Sequence, residues 1–179
     1  MHLNTANTAF SNTLSGAGVI NTAAAVTLSG TNTFAGTHNI NANGILTVAT
    51  AANLGTASIN LQTLSSQLVF NGTSSAISNT LTGVLGSIVQ VTNAADMSLS
   101  GSNNGFLGQY DINGGSTLTV GATSNLGSSA SVNLASATDT LALSNFTGIF
   151  ANTVTGTAGK LNILNNSDVT LNSTYGVAS

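Results

Sequence analysis

The chain has no cysteine, no proline and no tryptophan, and only one Lys or Arg among its 179 residues. Zero cysteine removes disulfides, zinc–thiolate sites and thiol nucleophiles together, and it leaves a chain exported unfolded with nothing to oxidise. Lys160 is the only permanently basic side chain, so phosphates would meet no cationic surface and no nucleic-acid partner is expected. Charged residues make up 3% and the formal net charge is −3. With 41% hydrophobic residues the chain is not a disordered tail, whose mark is low hydrophobicity with high charge. No apolar run approaches the ~18–20 residues a membrane helix needs, because Asn, Thr, Ser and Gly interrupt every stretch. Met1 and His2 are not followed by a charged and then a long apolar segment, so no signal peptide is read. Neither Gly-x-Gly-x-x-Gly nor Gly-x-x-x-x-Gly-Lys occurs, which leaves nucleotide phosphates without a cradle and implies no cofactor.

What the chain does have is a phrase written twice. Leu28-Ser29-Gly30-Thr31-Asn32-Thr33-Phe34 is followed by Ile40, Gly44, Leu46-Thr47-Val48, Asn53-Leu54-Gly55 and Ile59-Asn60-Leu61. Leu99-Ser100-Gly101-Ser102-Asn103 is followed by Ile112, Gly115, Leu118-Thr119-Val120, Asn125-Leu126-Gly127 and Val132-Asn133-Leu134. The interval from Ile40 to Ile112 equals that from Leu54 to Leu126, and the other matched positions keep this offset to within one residue. Asn152-Thr153-Val154-Thr155-Gly156 opens a third copy, echoing Asn79-Thr80-Leu81-Thr82-Gly83 and Asn12-Thr13-Leu14-Ser15-Gly16. The repeats run over about 12–78, 79–151 and 152–179, and the incomplete last copy suggests a piece of a longer polypeptide. A fixed long period means stacked copies of one unit, each burying its apolar edge on the next. The whole of 1–179 is therefore read as a single solenoid.

The apolar residues alternate with period two, as in Val26-x-Leu28, Leu46-x-Val48, Leu118-x-Val120 and Leu141-x-Leu143. Such alternation makes half-buried strands. Leu28, Ile40, Val48, Leu61, Leu99, Ile112, Leu118, Val120 and Leu134 are expected inside, and Thr119 outside. Asn43-Gly44, Asn71-Gly72, Asn104-Gly105 and Asn113-Gly114-Gly115 supply tight turns. Ala23-Ala24-Ala25 is too short and uncapped for a helix. Three strands of ~5 residues with turns of ~3 give a rung of roughly 22–25 residues. On that basis each repeat unit holds about three rungs and the chain about seven, in an all-β, three-sided parallel β-solenoid. Asn12/Asn79/Asn152, Asn32/Asn103, Asn53/Asn125 and Asn60/Asn133 then fall into repeat columns, where an amide can bond its equivalent or the backbone one rung away. Neutral outward columns avoid the repulsion that a repeated charge would meet at a ~4.8 Å spacing.

The run Leu28–Leu61 resembles the passenger-associated transport repeat of bacterial autotransporters: Leu-Ser-Gly-x-Asn-Thr-Phe-x-Gly, an Ile, Gly-x-Leu-x-Val, Leu-Gly and a closing Ile-x-Leu. Residues 28–36, 40–48 and 54–61 follow it closely. The second copy departs at Asn104-Gly105-Phe106-Leu107-Gly108 and then returns to the pattern. The resemblance implies a right-handed parallel β-helix in a passenger anchored at the cell surface through a C-terminal outer-membrane barrel of the parent chain. It also implies attachment to host or bacterial surface molecules, self-association or biofilm formation, and in some cases heptose on Ser or Thr.

Residues able to do chemistry are few. Asp96 and Asp168 lie one repeat apart and are expected in one column about three rungs, ~14 Å, from each other, too far for one metal or a retaining carboxylate pair. Asp111 and Asp139 read as turn or surface residues, His38 as an outward polar residue three rungs from Asp111, His2 as an appended residue and Lys160 as a solvated rung residue. The Asn-x-Ser/Thr triplets at Asn71, Asn145, Asn165 and Asn172 are what so Asn- and Thr-rich a chain produces by chance. The thinly spread aromatics Phe10, Phe34, Phe70, Phe106, Phe146, Phe150, Tyr110 and Tyr175 are assigned to stacking in the core, with a sugar-binding platform as the alternative. No catalytic, cofactor-binding or metal residue is nominated, and the chain is read as a non-enzymatic stalk or adhesive segment. An ice-binding solenoid and a polysaccharide-degrading β-helix enzyme are the alternatives. The first is disfavoured by Thr-x-Thr steps that do not recur at one rung spacing, the second by the lack of a carboxylate and cation cluster.

Overall fold

A computed structural model describes residues 1–177. Almost every ordered segment is a short strand, and every strand pairing is parallel. One face of the coil is a continuous sheet of nine strands: Thr8–Phe10, Ala25–Leu28, Ile45–Val48, Gln67–Asn71, Ile88–Thr92, Gln109–Ile112, Ser131–Leu134, Val154–Gly156 and Tyr175–Val177. Strands in sequence order stacking in parallel require the chain to circle once between them, so the molecule is a β-solenoid of about eight turns. The second face carries His2–Leu3, Val19–Thr22, Thr37–Ile40, Ser58–Leu61 and Leu81–Gly83. It continues through a single Gly83–Phe106 bridge and, farther along, through the paired strands Thr147–Phe150 and Asp168–Leu171. The third face is strand at Ser75–Ile77, Asp96–Leu99, Thr117–Val120, Thr140–Ser144 and Lys160–Leu164.

Alternation places the core as expected. Leu28, Ile40, Val48, Leu61, Leu99, Ile112, Leu118, Val120 and Leu134 are all buried. They stack in rows through the sheets: Leu28 on Val48, Val48 on Phe70, Phe70 on Val91, Val91 on Ile112 and Ile112 on Leu134. Sealing each such side chain contributes about 1.5–3 kcal/mol, and this sum over rows holds the turns together. Phe34, Phe70, Phe106, Phe146, Phe150 and Tyr110 lie in the same core, whereas Phe10 is only partly buried and Tyr175, near the last turn, is exposed, contrary to the core assignment. Phe106–Tyr110 and Phe146–Phe150 meet edge to face at centroid distances of 4.9 and 6.0 Å.

The rung lies at or just below the lower end of the range expected from typical strand and turn lengths. Along the continuous sheet, Val26 pairs with Leu46, Leu46 with Leu68, Leu68 with Val89, Val89 with Tyr110 and Tyr110 with Val132. Each of these steps is less than one third of the interval from Ile40 to Ile112. One repeat therefore spans three turns and one further face. Ile40 sits on the second face, while Ile112 sits on the continuous one. Equivalent residues of successive repeats do not stack; they lie on neighbouring sides of the coil. This corrects the repeat columns read from the sequence: the cause is that the repeat is not a whole number of turns.

The Asn-Leu-Gly steps hold a feature that the strand reading left out. Ala51–Asn53 is a short 3-10 turn and Thr123–Leu126 a single α-turn, at equivalent places in the two copies. Each is closed by its own buried asparagine. Asn53 Oδ1 accepts from the Ala49 and Thr50 amides, and Asn125 Oδ1 from those of Gly121 and Ala122.

Candidate functional site

The outward rows carry polar ladders with a spacing of one turn. On the second face, Asn39 Nδ2 donates to Asn21 Oδ1 at 3.1 Å, Asn60 Nδ2 to Asn39 Oδ1 at 3.3 Å, and Thr82 Oγ1 to Asn60 Oδ1 at 3.1 Å. The second repeat builds the same ladder on the continuous face: Gln90 Nε2 and Asn133 Nδ2 donate to Asp111 at 3.4 and 2.6 Å, with Thr155 next in register. Asp111 replaces Asn39, and its carboxylate also accepts from Asn113 Nδ2 at 3.2 Å. Three amide donors around one half-exposed carboxylate supply the hydrogen bonds that a cation would otherwise provide.

Buried asparagines tie the turns from within. Asn32 Nδ2 donates to the Asn53 carbonyl, and Asn53 Nδ2 to that of Gly30 at 3.1 Å. Asn103 and Asn125 repeat this with the carbonyls of Asn125 and Gly101. Asn79 bonds the Gly55 and Ala57 carbonyls, and Asn152 those of Gly127 and Ala130. Each bond joins neighbouring turns to backbone, so these asparagines serve as braces. Asn12, the first member of its repeat column, is exposed and does not share this role.

The ionisable residues are dispersed. Asp96 is exposed on the third face beside Thr117, and Asp168 is exposed beside Thr147. They do not share a column, contrary to the three-rung reading, because the repeat advances by an extra face. Asp139 occupies a turn, as expected, but is fully buried. It accepts from the Gly115 amide at 2.8 Å, the Ser116 amide at 3.3 Å, and the Ser136 amide and hydroxyl at 2.7 and 2.9 Å. Lys160 and His2 are exposed, as are Asn71, Asn145, Asn165 and Asn172. Among the described residues no group of three or more His, Cys, Asp or Glu side chains converges on a point where an ion could sit.

His38 is the clear reversal. It is 1% exposed and points inward between Ile20 and Ile59, with Phe34 at a centroid distance of 6.2 Å. Period-two alternation from Ile40 already places residue 38 on the inner side; polarity alone suggested otherwise. Neither imidazole nitrogen has a hydrogen-bond partner, and burial pushes its pKa down from 6.5 to about 4. The equivalent Tyr110 is equally buried. Burial raises its phenol far above the usual range, offset in part by the Asn103 side chain, yet its hydroxyl has no partner at hydrogen-bond geometry.

One surface feature escaped the sequence reading. Leu64, Leu85 and Leu107 are 71%, 72% and 42% exposed. They occupy the corner between the second and continuous faces in three consecutive turns, and Val84, also exposed, lies beside them. Gly86, at φ +87, lies directly against Leu64, so the leucines form a ridge flanked by the uncharged Thr63, Ser65, Gly86 and Gly108. The signal was a recurrence of Leu at one-turn intervals, visible only once the turn length is known.

No family model, curated protein or solved structure matches this chain.

Proposed function

We propose that this chain is a non-enzymatic rod, a stalk or adhesive segment of a secreted surface protein of the bacterial autotransporter kind, and that it works by extended contact and self-association. The observation that carries the reading is the surface itself. It combines polar ladders on two faces, amide and hydroxyl on one and amides around the single Asp111 carboxylate on the other, with an exposed Leu64–Leu85–Leu107 ridge at the corner between them. The occupant we assign to the ridge is a second copy of the chain. Leucines on successive turns, at the ~4.8 Å spacing of stacked strands, form a continuous apolar strip that the same strip of a second copy can cover, and no like charge opposes the approach. The resemblance of residues 28–61 to passenger repeats supplies the cell-surface setting and the anchoring barrel of a parent chain.

The experiment is to display the segment on cells and compare it with Leu64→Ser/Leu85→Ser/Leu107→Ser. Clumping of cells bearing the unaltered segment and dispersal of the variant at an unchanged melting temperature support the proposal. If unaltered cells stay dispersed and bind no surface, the adhesive reading fails; if the variant clumps equally, the ridge is not the contact.

A further inference from the structure

We propose that His38 is an acid-sensitive latch in the solenoid, whose protonation opens the coil between the second and fourth strands of its second face. The imidazole sits in an inward row, Ile20–His38–Ile59, where every neighbour in register is aliphatic. Both nitrogens are sealed from water and unpartnered. A protonated ring would place two N–H donors and a positive charge in that row with nothing to accept them, the situation that costs most inside a protein.

Nothing nearby can offset the charge. The strands Val19–Thr22 and Ser58–Leu61 pair with the His38 strand and Phe34 lies against the ring, and apart from His38 itself no residue from Leu3 to Ala95, on any side of the coil, is ionisable. The first acidic residue of the chain is Asp96, several turns away. The other titratable groups at this end are exposed: His2, and the Met1 amine, which donates to the Val19 carbonyl at 2.9 Å. The second repeat places Tyr110 in the equivalent position, so the same architecture is built there around a group that stays neutral in acid.

The sign follows from where each state takes its proton. An unfolded imidazole protonates near 6.5 and the folded one only near 4. Stability is complete above the first value and is lost as pH falls towards the second. Those two values give a loss of about 30-fold in the closed-to-open equilibrium at pH 5 relative to pH 7.5. Because a solenoid turn contacts only its neighbours, the opening is local.

Hydrogen exchange, corrected for intrinsic rates, tests this on the intact chain. The expected result is a roughly 30-fold drop in protection of strands 19–22, 37–40 and 58–61 at pH 5, with strands 109–112 and 131–134 unchanged. His38→Tyr, which copies the second repeat, and His38→Phe should both abolish the drop. NMR titration of the His38 ring in the unaltered chain gives a readout independent of whether either variant folds. A ring that titrates at 6.5 or above, uniform pH dependence along the coil, or a drop that persists in either variant overturns the proposal.

Discussion

Residues 37–61 and 109–134 use almost the same phrase, yet they occupy different sides of the coil. The first lies on the second and continuous faces, while the second begins on the continuous face and moves to the third. Local structure follows the words: inward Ile40 and Ile112, the Asn53 and Asn125 turns, and the outward ladders all recur. Position around the axis follows arithmetic instead. A repeat that is not a whole number of turns cannot return to the same face. The repeat therefore conserves what each residue touches one turn away and rotates where it points. A coil built this way carries its ladders on two sides, the second and the continuous faces.

Aspartate in the inward rows should break both copies most severely. Leu118→Asp and Leu46→Asp each bury an unpaired carboxylate at fully sealed positions, costing several kcal/mol out of a typical ~5–15. Either variant should be unfolded or strongly destabilised in thermal melts, and an appreciably milder effect in one copy would show that the copies are not equally packed. Next come the buried braces. Asn125→Ala and Asn53→Ala strand two backbone amides and a carbonyl each, at about 1–3 kcal/mol per unsatisfied group before relaxation. Denaturant titration should show matched losses in the two variants.

Much of this architecture is legible in the sequence. Alternation identifies the strands and their inner sides, and it does so even at His38, where the chemical character of the side chain misleads. The Asn-Gly and Gly-Gly steps mark turns, with Asn43, Gly72, Gly114 and Gly115 all at positive φ; Asn104-Gly105 lacks this conformation. What stays hidden is the length of a turn, because it depends on how sharply corners fold in three dimensions. Every cross-turn neighbour depends on that length, including the Asp111–Asn133 contact and the leucine ridge. Asp139 illustrates a second limit: an isolated acid reads as solvated unless its donors, here backbone amides of the preceding turn, are known.

The smallest effects belong to the outward rows. Exchanging the ladder members, Asp111→Asn in one copy or Asn39→Asp in the other, should shift stability by about 1 kcal/mol or less, since these groups are half exposed. Thr119→Ser should stay within about 0.5 kcal/mol. Thermal melts check both, and a large loss at either ladder position would mean that the ladders carry the fold.

Disulfide mapping tests the rotation of the repeat most directly. The observed turn places Asp111 beside Gln90, at the ~4.8 Å strand spacing, within the roughly 4.4–6.8 Å Cα range a disulfide tolerates. A coil of three whole turns per repeat would instead place residue 87 beside residue 111. Gln90→Cys/Asp111→Cys should cross-link readily on mild oxidation while Ser87→Cys/Asp111→Cys stays reduced. Cross-linking of the 87/111 pair with none at 90/111 would contradict the account.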